Sequence, residues 1–296
     1  MKTALISTVR NEARDLPAFL ASIERQTRRP DLVVITSADS GDGTDEILQE
    51  FEDTHYGDGF VWLPLGDVGR SFGRNEAVRF AYEEGVEVIA CTNVCVLRDD
   101  WFEKITDPIL YGDGIDLVGG GYHIVVRTNY EDAAALVTQY TPEEATKKRF
   151  ISALSMAFTA EVWRNVGGFP EDLETSEDTV FVQRVRDTAC GIAYVADAVV
   201  EWRPATLTLR GAFRTYRQFA VTDRIAGVGR AQYIATTIAY AVPVILPFWL
   251  VYRARKALAE GLPSGLLFAA AVDLGRIVGW LAIDKYISWR GKTSGR

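Results

Sequence analysis

The chain has 296 residues, 48% of them hydrophobic and 24% charged, enough apolar material for one large core or two modest ones and too much for a disordered chain. Its net charge of −8 is unevenly split: residues 1–200 carry 18 Lys/Arg against 35 Asp/Glu, a net −17, while residues 201–296 carry 14 against 5, a net +9. Nucleic acid is thereby set aside as a partner of the acidic part, because phosphate backbones need a basic footprint, and the basic apolar tail suits anionic lipid headgroups instead.

Three cysteines, Cys91, Cys95 and Cys190, are too few and odd in number for a disulfide framework and fit a reducing compartment such as the cytoplasm. His55 and His123 stand far apart without neighbours at ligand spacing, so neither a zinc site nor a Ser-His-Asp triad finds support. Met1-Lys2 leads straight into a strand pattern, and no signal peptide is expected.

Over the first hundred residues short β-type runs alternate with helical periodicity. Strands are predicted at 4–6, 32–35, 60–63 and 86–90, with helices on Leu16 to Ile23, Ile47 to Phe51 and Asn75 to Glu84. That alternation predicts an α/β domain with a largely parallel sheet and helices on both faces, whose ligand sits beyond the carboxyl ends of the strands. Further strands are predicted at 117–126, 153–159 and 192–200. Residues 129–149 read as a charged helical insertion, and helices are expected at 161–166 and 176–188.

Residues 231–251 carry no charge, and a helix of that length matches the roughly 30 Å hydrocarbon core, so a transmembrane helix is expected there, kinked by Pro243 and Pro247. Residues 262–286 are largely apolar but contain Asp273 and Arg276, an i, i+3 pair able to neutralise itself in a second span. Charge does not set the orientation: basic residues precede (Arg214, Arg217, Arg224, Arg230), separate (Arg253, Arg255, Lys256) and follow (Arg290, Lys292, Arg296) the two segments. A hairpin that does not fully cross, or two buried helices, remain open alternatives. The expected division is a catalytic domain over 1–205, a basic amphipathic connector over 206–230 and a membrane region over 231–290.

The loop Asp39-Ser40-Gly41-Asp42-Gly43-Thr44 follows a buried strand and opens a helix, where small residues let backbone amides approach a nucleotide; such loops also serve simply as caps. Taken with Thr8-Val9-Arg10-Asn11-Glu12, Arg74-Asn75-Glu76-Ala77 and Gly167-Gly168-Phe169, in that order, it resembles family 2 glycosyltransferases, and residues 3–202 resemble their GT-A fold. The resemblance implies a UDP- or GDP-linked sugar donor held by Thr8, Arg10, Asn11, Glu12, Ser37, Asp39 and Ser40. Arg70, Arg74 and Asn75 would lie near the donor phosphates, and Thr92 and Asn93 at the strand end. It places the catalytic acidic pair at Glu177-Asp178, with Asp178 as general base in an inverting displacement and Glu177 orienting it. Gly168 and Trp202 are assigned to the acceptor. Thr175-Ser176-Glu177-Asp178 is also a good helix start, and Trp202 is equally suited to a core.

Two departures stand out. Where the family has Asp-Asp before its second loop, one carboxylate reading the nucleobase, this chain has Ser37-Ala38. Where the family has the Asp-x-Asp motif for Mg²⁺ or Mn²⁺, this chain has Thr92-Asn93-Val94-Cys95, and neither register counted back from Trp101 leaves a carboxylate. Three explanations stay open: arginines (Arg10, Arg70 or Arg74) and helix N-termini carry the leaving charge, the donor is a lipid monophosphate sugar, or the domain only binds. The expected function is a membrane-anchored glycosyltransferase facing the cytoplasm, with a lipid-linked or membrane-proximal acceptor. The alternatives are a catalytically silent GT-A subunit and a nucleotidyltransferase, the latter needing two carboxylate-held metals.

Overall fold

A computed structural model describes residues 1–55, 59–173, 175–225, 230–242 and 244–281. Pro243, residues 282–286 of the second apolar segment, and Arg290, Lys292 and Arg296 lie outside the described residues. In chain order the elements are β1 Thr3–Val9, α1 Leu16–Glu24, β2 Leu32–Ser37, α2 Thr44–Thr54, β3 Phe60–Pro64, α3 Arg70–Glu83, β4 Val88–Thr92, β5 Val96–Leu97, α4 Trp101–Tyr111 and β6 Ile115–Ile124. They continue with α5 Asn129–Thr138, α6 Pro142–Lys148, β7 Ser155–Thr159, α7 Ala160–Asn165, α8 Glu177–Arg186 and β8 Gly191–Trp202. Helices α9 Leu209–Ile225, α10 Arg230–Ala241, α11 Leu246–Ala259 and α12 Gly265–Leu281 follow.

The chain divides into two compact units, one of Met1–His123 with Pro142–Trp202, the other of Ile124–Thr141 with the chain from Arg203 onward. The expected catalytic domain over 1–205 therefore loses its middle: the insertion read at 129–149 is two helices, and α5 clusters with the C-terminal helices.

The first unit is built on one sheet in the order β3-β2-β1-β4-β7-β6-β8-β5. Strands β3, β2, β1 and β4 run parallel, each separated from the next in sequence by a helix, as the crossover between parallel strands requires. The expectation of a largely parallel sheet holds only for this half, because β7 returns antiparallel to β4, β6 antiparallel to β7, and β5 antiparallel to β8. Helix α4 and the two-residue strand β5 have no counterpart in the sequence reading; Pro108 inside α4 breaks the signal that its buried Trp101, Phe102, Ile105 and Ile109 otherwise give.

β1, β2 and β4 are buried along nearly their whole length, as strands covered on both faces must be. Phe158 of β7, Phe169 and Phe181 of α8 form a fully buried cluster, with ring centroids 6.0, 5.2 and 4.4 Å apart. Each such ring contributes about 1.5–3 kcal/mol by leaving water, and together they pin the turn before α8, and hence that helix's first residues, to the sheet.

The second unit is helical. The uncharged run 231–251 is not one span but α10 of 12 residues and α11 of 14, and Pro247 sits in the first turn of α11, where a missing N–H costs nothing. Among the described residues no helix is long and apolar enough to cross a membrane. Within the expected connector, α9 packs lengthwise on α12, burying Ala212, Tyr216 and Ala220. The close approach depends on Gly275 and Gly279, where an added Cβ would lie 2.5 Å from the carbonyl oxygen of Phe213 and 2.2 Å from that of Arg217. The fully buried Asp273 lies 3.8 Å from Arg276, the pairing read from sequence, but also 3.3 Å from Arg253, and it accepts a 2.8 Å bond from Trp249 Nε1. Because the Cβ at 279 would meet backbone and not a movable side chain, Gly279→Ala is expected to lower unfolding free energy by about 1–3 kcal/mol in chemical denaturation.

Candidate active site

The polar loops at the carboxyl ends of β1 and β2 are fastened to each other. Asn11, in the left-handed region at φ 56°, accepts from the Gly41 amide (2.9 Å) through Oδ1, and its own amide donates to Ser40 Oγ (3.1 Å). The Glu12 amide donates to Thr44 Oγ1 (2.8 Å), Thr44 Oγ1 donates to Asp42 Oδ1 (2.6 Å), and the Ala13 amide donates to Asp42 Oδ2 (3.1 Å). Asp42 and Thr44, which the sequence offers as caps, thus tie the two loops together.

Several expected donor contacts are already committed within the fold. Ser37 is buried and its Oγ accepts from Trp62 Nε1 (2.9 Å), so it is not free to read a base; Asp39 beside it is exposed at the rim. Thr8 Oγ1 accepts from Thr36 Oγ1 (3.1 Å), and both side chains lie under Gly73, where a Cβ would come within 2.6 Å of Thr8. That missing Cβ lets the first turn of α3 settle on β1 and β2 and places Arg70 and Arg74 at the strand ends.

Asn75 is engaged within the fold. Both its amide hydrogens and its carbonyl oxygen are spent on the turn before α8: Nδ2 donates to Phe169 O (2.9 Å) and Glu171 Oε1 (2.8 Å), while Oδ1 accepts from the Phe169 amide (2.9 Å) and Trp163 Nε1 (3.1 Å). Gly168, at φ 71°, is held in that same turn and not presented as a surface for an acceptor. Trp163 and Glu171 escaped the sequence reading, because nothing in their spacing links them to a residue some ninety positions earlier.

The centre of the site is a buried ion pair. Arg74 Nη1 donates to Glu177 Oε1, Arg74 Nη2 donates to Asn93 Oδ1 (2.8 Å), and the guanidinium lies 5.6 Å from the Phe169 ring centroid. Burial alone would raise the Glu177 carboxyl, but Arg74 and then Arg70, whose Nη1 is 3.7 Å away, outweigh it and hold Glu177 below the usual carboxylate range. Ser176, just before α8, takes a left-handed φ of 62° and makes no side-chain cap bond, so its role is to aim the acids and not to cap.

Asp178 is half-buried, with Oδ2 accepting from the Ala153 amide (3.0 Å) and Oδ1 from the Thr179 amide (2.7 Å). Burial and the neighbouring Glu177 charge push its pKa up. Glu12 is raised to about 7 by burial, then by Asp15 and Asp42, with Arg70 opposing. Arg10 pairs with Asp67 at 3.0 Å on the exposed rim. Trp202 stacks edge-on with Tyr122 at 6.3 Å and is half-buried; it follows Glu201, the β8 partner of Val96.

The donor set at the strand end does not suit Mg²⁺ or Mn²⁺. Thr92 is buried and donates to Leu154 O (2.9 Å), Asn93 Oδ1 is taken by Arg74, and burial pushes the Cys95 thiol up to about 12. Among the described residues no group of three or more His, Cys, Asp or Glu is arranged to hold a metal ion.

A family model, glycosyl transferase family 2, matches residues 4–159, from β1 through β7. The chain belongs to glycosyltransferase family 2. This family 2 enzyme is 24% identical over 237 residues to glycosyltransferase AglE of Haloferax volcanii, covering 75% of each chain. Its fold is similar to mannosyltransferase PcManGT from Pyrobaculum calidifontis, solved with GDP-Man and Mn²⁺, at TM-score 0.58 and 17% identity over 95% of this chain and 86% of that one. It is also similar to Staphylococcus aureus TarS 1–349 in complex with UDP-GlcNAc, at TM-score 0.53 and 16% identity over 96% and 92% of the two chains.

Removing the charge of Glu177 strands the Arg74 guanidinium in the interior. Glu177→Gln is expected to cost about 3–5 kcal/mol of stability by denaturant titration, more than a surface pair such as Arg10–Asp67 would lose.

Proposed function

We propose that this glycosyltransferase takes its sugar from a UDP- or GDP-linked donor and transfers it, with inversion, to a hydroxyl of a lipid-linked or membrane-proximal acceptor at the cytoplasmic face of the cell membrane. The single observation that carries the reaction is Asp178: a half-buried carboxylate, oriented by two backbone amides, whose affinity for a proton is raised by burial and by Glu177. A carboxylate so poised takes the acceptor proton as the hydroxyl attacks the anomeric carbon; the new C–O bond forms as the bond to the donor phosphate breaks, and the nucleoside diphosphate leaves from the opposite face. The donor class is supported by the fastened loops after β1 and β2 and by the GDP-Man and UDP-GlcNAc complexes of the similar folds.

The membrane part of the reading rests on the second unit. Ile234 and Ile238 of α10, with Ile245, Phe248, Val251 and Tyr252 at and within α11, are exposed although apolar, and Arg230, Arg255 and Lys256 flank them. Helices with an apolar stripe and basic flanks lie in the plane of an anionic bilayer without crossing it. That arrangement raises the effective concentration of an acceptor held in the same surface.

Asp178→Asn is expected to lower kcat by about 10²–10⁴ while nucleotide binding persists. In the wild type, kcat/KM should fall on the acid side through a pKa above the ordinary value of 3.8, because only the ionised carboxylate accepts the proton; undiminished turnover in the variant would remove Asp178 from the role. The full chain should co-sediment with phosphatidylglycerol vesicles, and Phe248→Glu should release it. Equal partitioning of wild type and variant would count against the bilayer.

A further inference from the structure

The place where this fold family keeps its metal-holding carboxylates carries groups unfit for a hard cation, and the chain has put fixed positive charge nearby. Three arginines surround the site, and the structure separates them. Arg74 is 1% exposed, with two guanidinium nitrogens bound to Glu177 and Asn93, so its charge is used inside the fold. Arg10 is held by Asp67 at 3.0 Å. Arg70 is half-exposed and lies 3.7 Å from Glu177, a carboxylate that Arg74 already neutralises. Of the two guanidiniums at Glu177, Arg74 is enclosed and Arg70 is the one whose outer end faces solvent. The same side chain acts on Glu12 of the β1 loop, so it stands between the nucleotide loops and the Glu177–Asp178 pair. It is also the first residue of the 14-residue α3, whose unpaired N-terminal amides favour the same anion.

We propose that the donor diphosphate is bound without a divalent cation and that the Arg70 guanidinium takes the metal's place. A planar fork can hold two phosphate oxygens at once and cannot lose its proton, so it supplies a lasting charge where a metal would supply an exchangeable one. On departure of the nucleoside diphosphate, Arg70 stabilises the charge that accumulates on the phosphate oxygen as its bond to the sugar breaks. The proposal rests on the nucleotide-sugar reading above, and its test keeps the two apart.

Calorimetric titration of the full chain with UDP and with GDP, each in excess EDTA and then in Mn²⁺, should give for at least one nucleotide an affinity that agrees within about twofold between the two conditions. Arg70→Ala should weaken that diphosphate by about ten- to a hundredfold while leaving the affinity for the matching nucleoside unchanged, and Arg70→Lys should recover part of the loss. Binding seen only with Mn²⁺, or a diphosphate affinity indifferent to Arg70→Ala, overturns the metal-free proposal and leaves the donor reading intact. Absence of binding by either nucleotide in both conditions, by a chain that still unfolds cooperatively, overturns the donor reading and the proposal with it.

Discussion

The contact between Arg74 and Glu177 is the constraint on which the site depends. It joins the N-terminal part of α3 to the first residue of α8, two elements a hundred positions apart, across the ends of the central strands. A charge pair in the interior is costly to create and costlier to break, because either member alone would face a medium that solvates it poorly. The pair thereby fixes two things at once: the height of α8 over the sheet and the direction of Asp178. Asn93, hydrogen-bonded to the same guanidinium, extends the arrangement to the end of β4.

The pair also accounts for the contrast between two adjacent carboxyls. Glu177 has the arginines and stays ionised, whereas Asp178 has backbone amides, burial and an anion for a neighbour, and holds its proton more readily. Two acids one residue apart are driven in opposite directions by where they point. The left-handed Ser176 sets that divergence, since it turns the backbone just before both of them enter the helix.

The alternation of buried strands and helices in the first hundred residues was legible because its period survives in each segment, and it set the polar loops at the carboxyl ends of β1 and β2. Three things were not. The antiparallel return of β7 and the pairing of β5 with β8 depend on which strand lies beside which, a property that no local period carries. Asn75 sits next to Arg74 in a motif associated with phosphates, yet one turns to Glu177 and the other to the Phe169 turn, and adjacency in a helix says nothing of which face each occupies until the neighbours are known. Hydropathy averaged over 231–251 hides a break, because apolar residues facing α12 and apolar residues facing outward add to the same sum.

Burying the central ion pair has a bearing on ionic strength. At about 1 M salt the screening length shrinks to about 3 Å, so a rim contact such as Arg10–Asp67, both members half or more exposed, is largely dissolved by counterions. Arg74 and Glu177 admit no counterion between them, and the geometry they enforce is therefore indifferent to the medium outside. An acidic domain that organises its site around an interior pair keeps that contact whether its surface charges are screened or not.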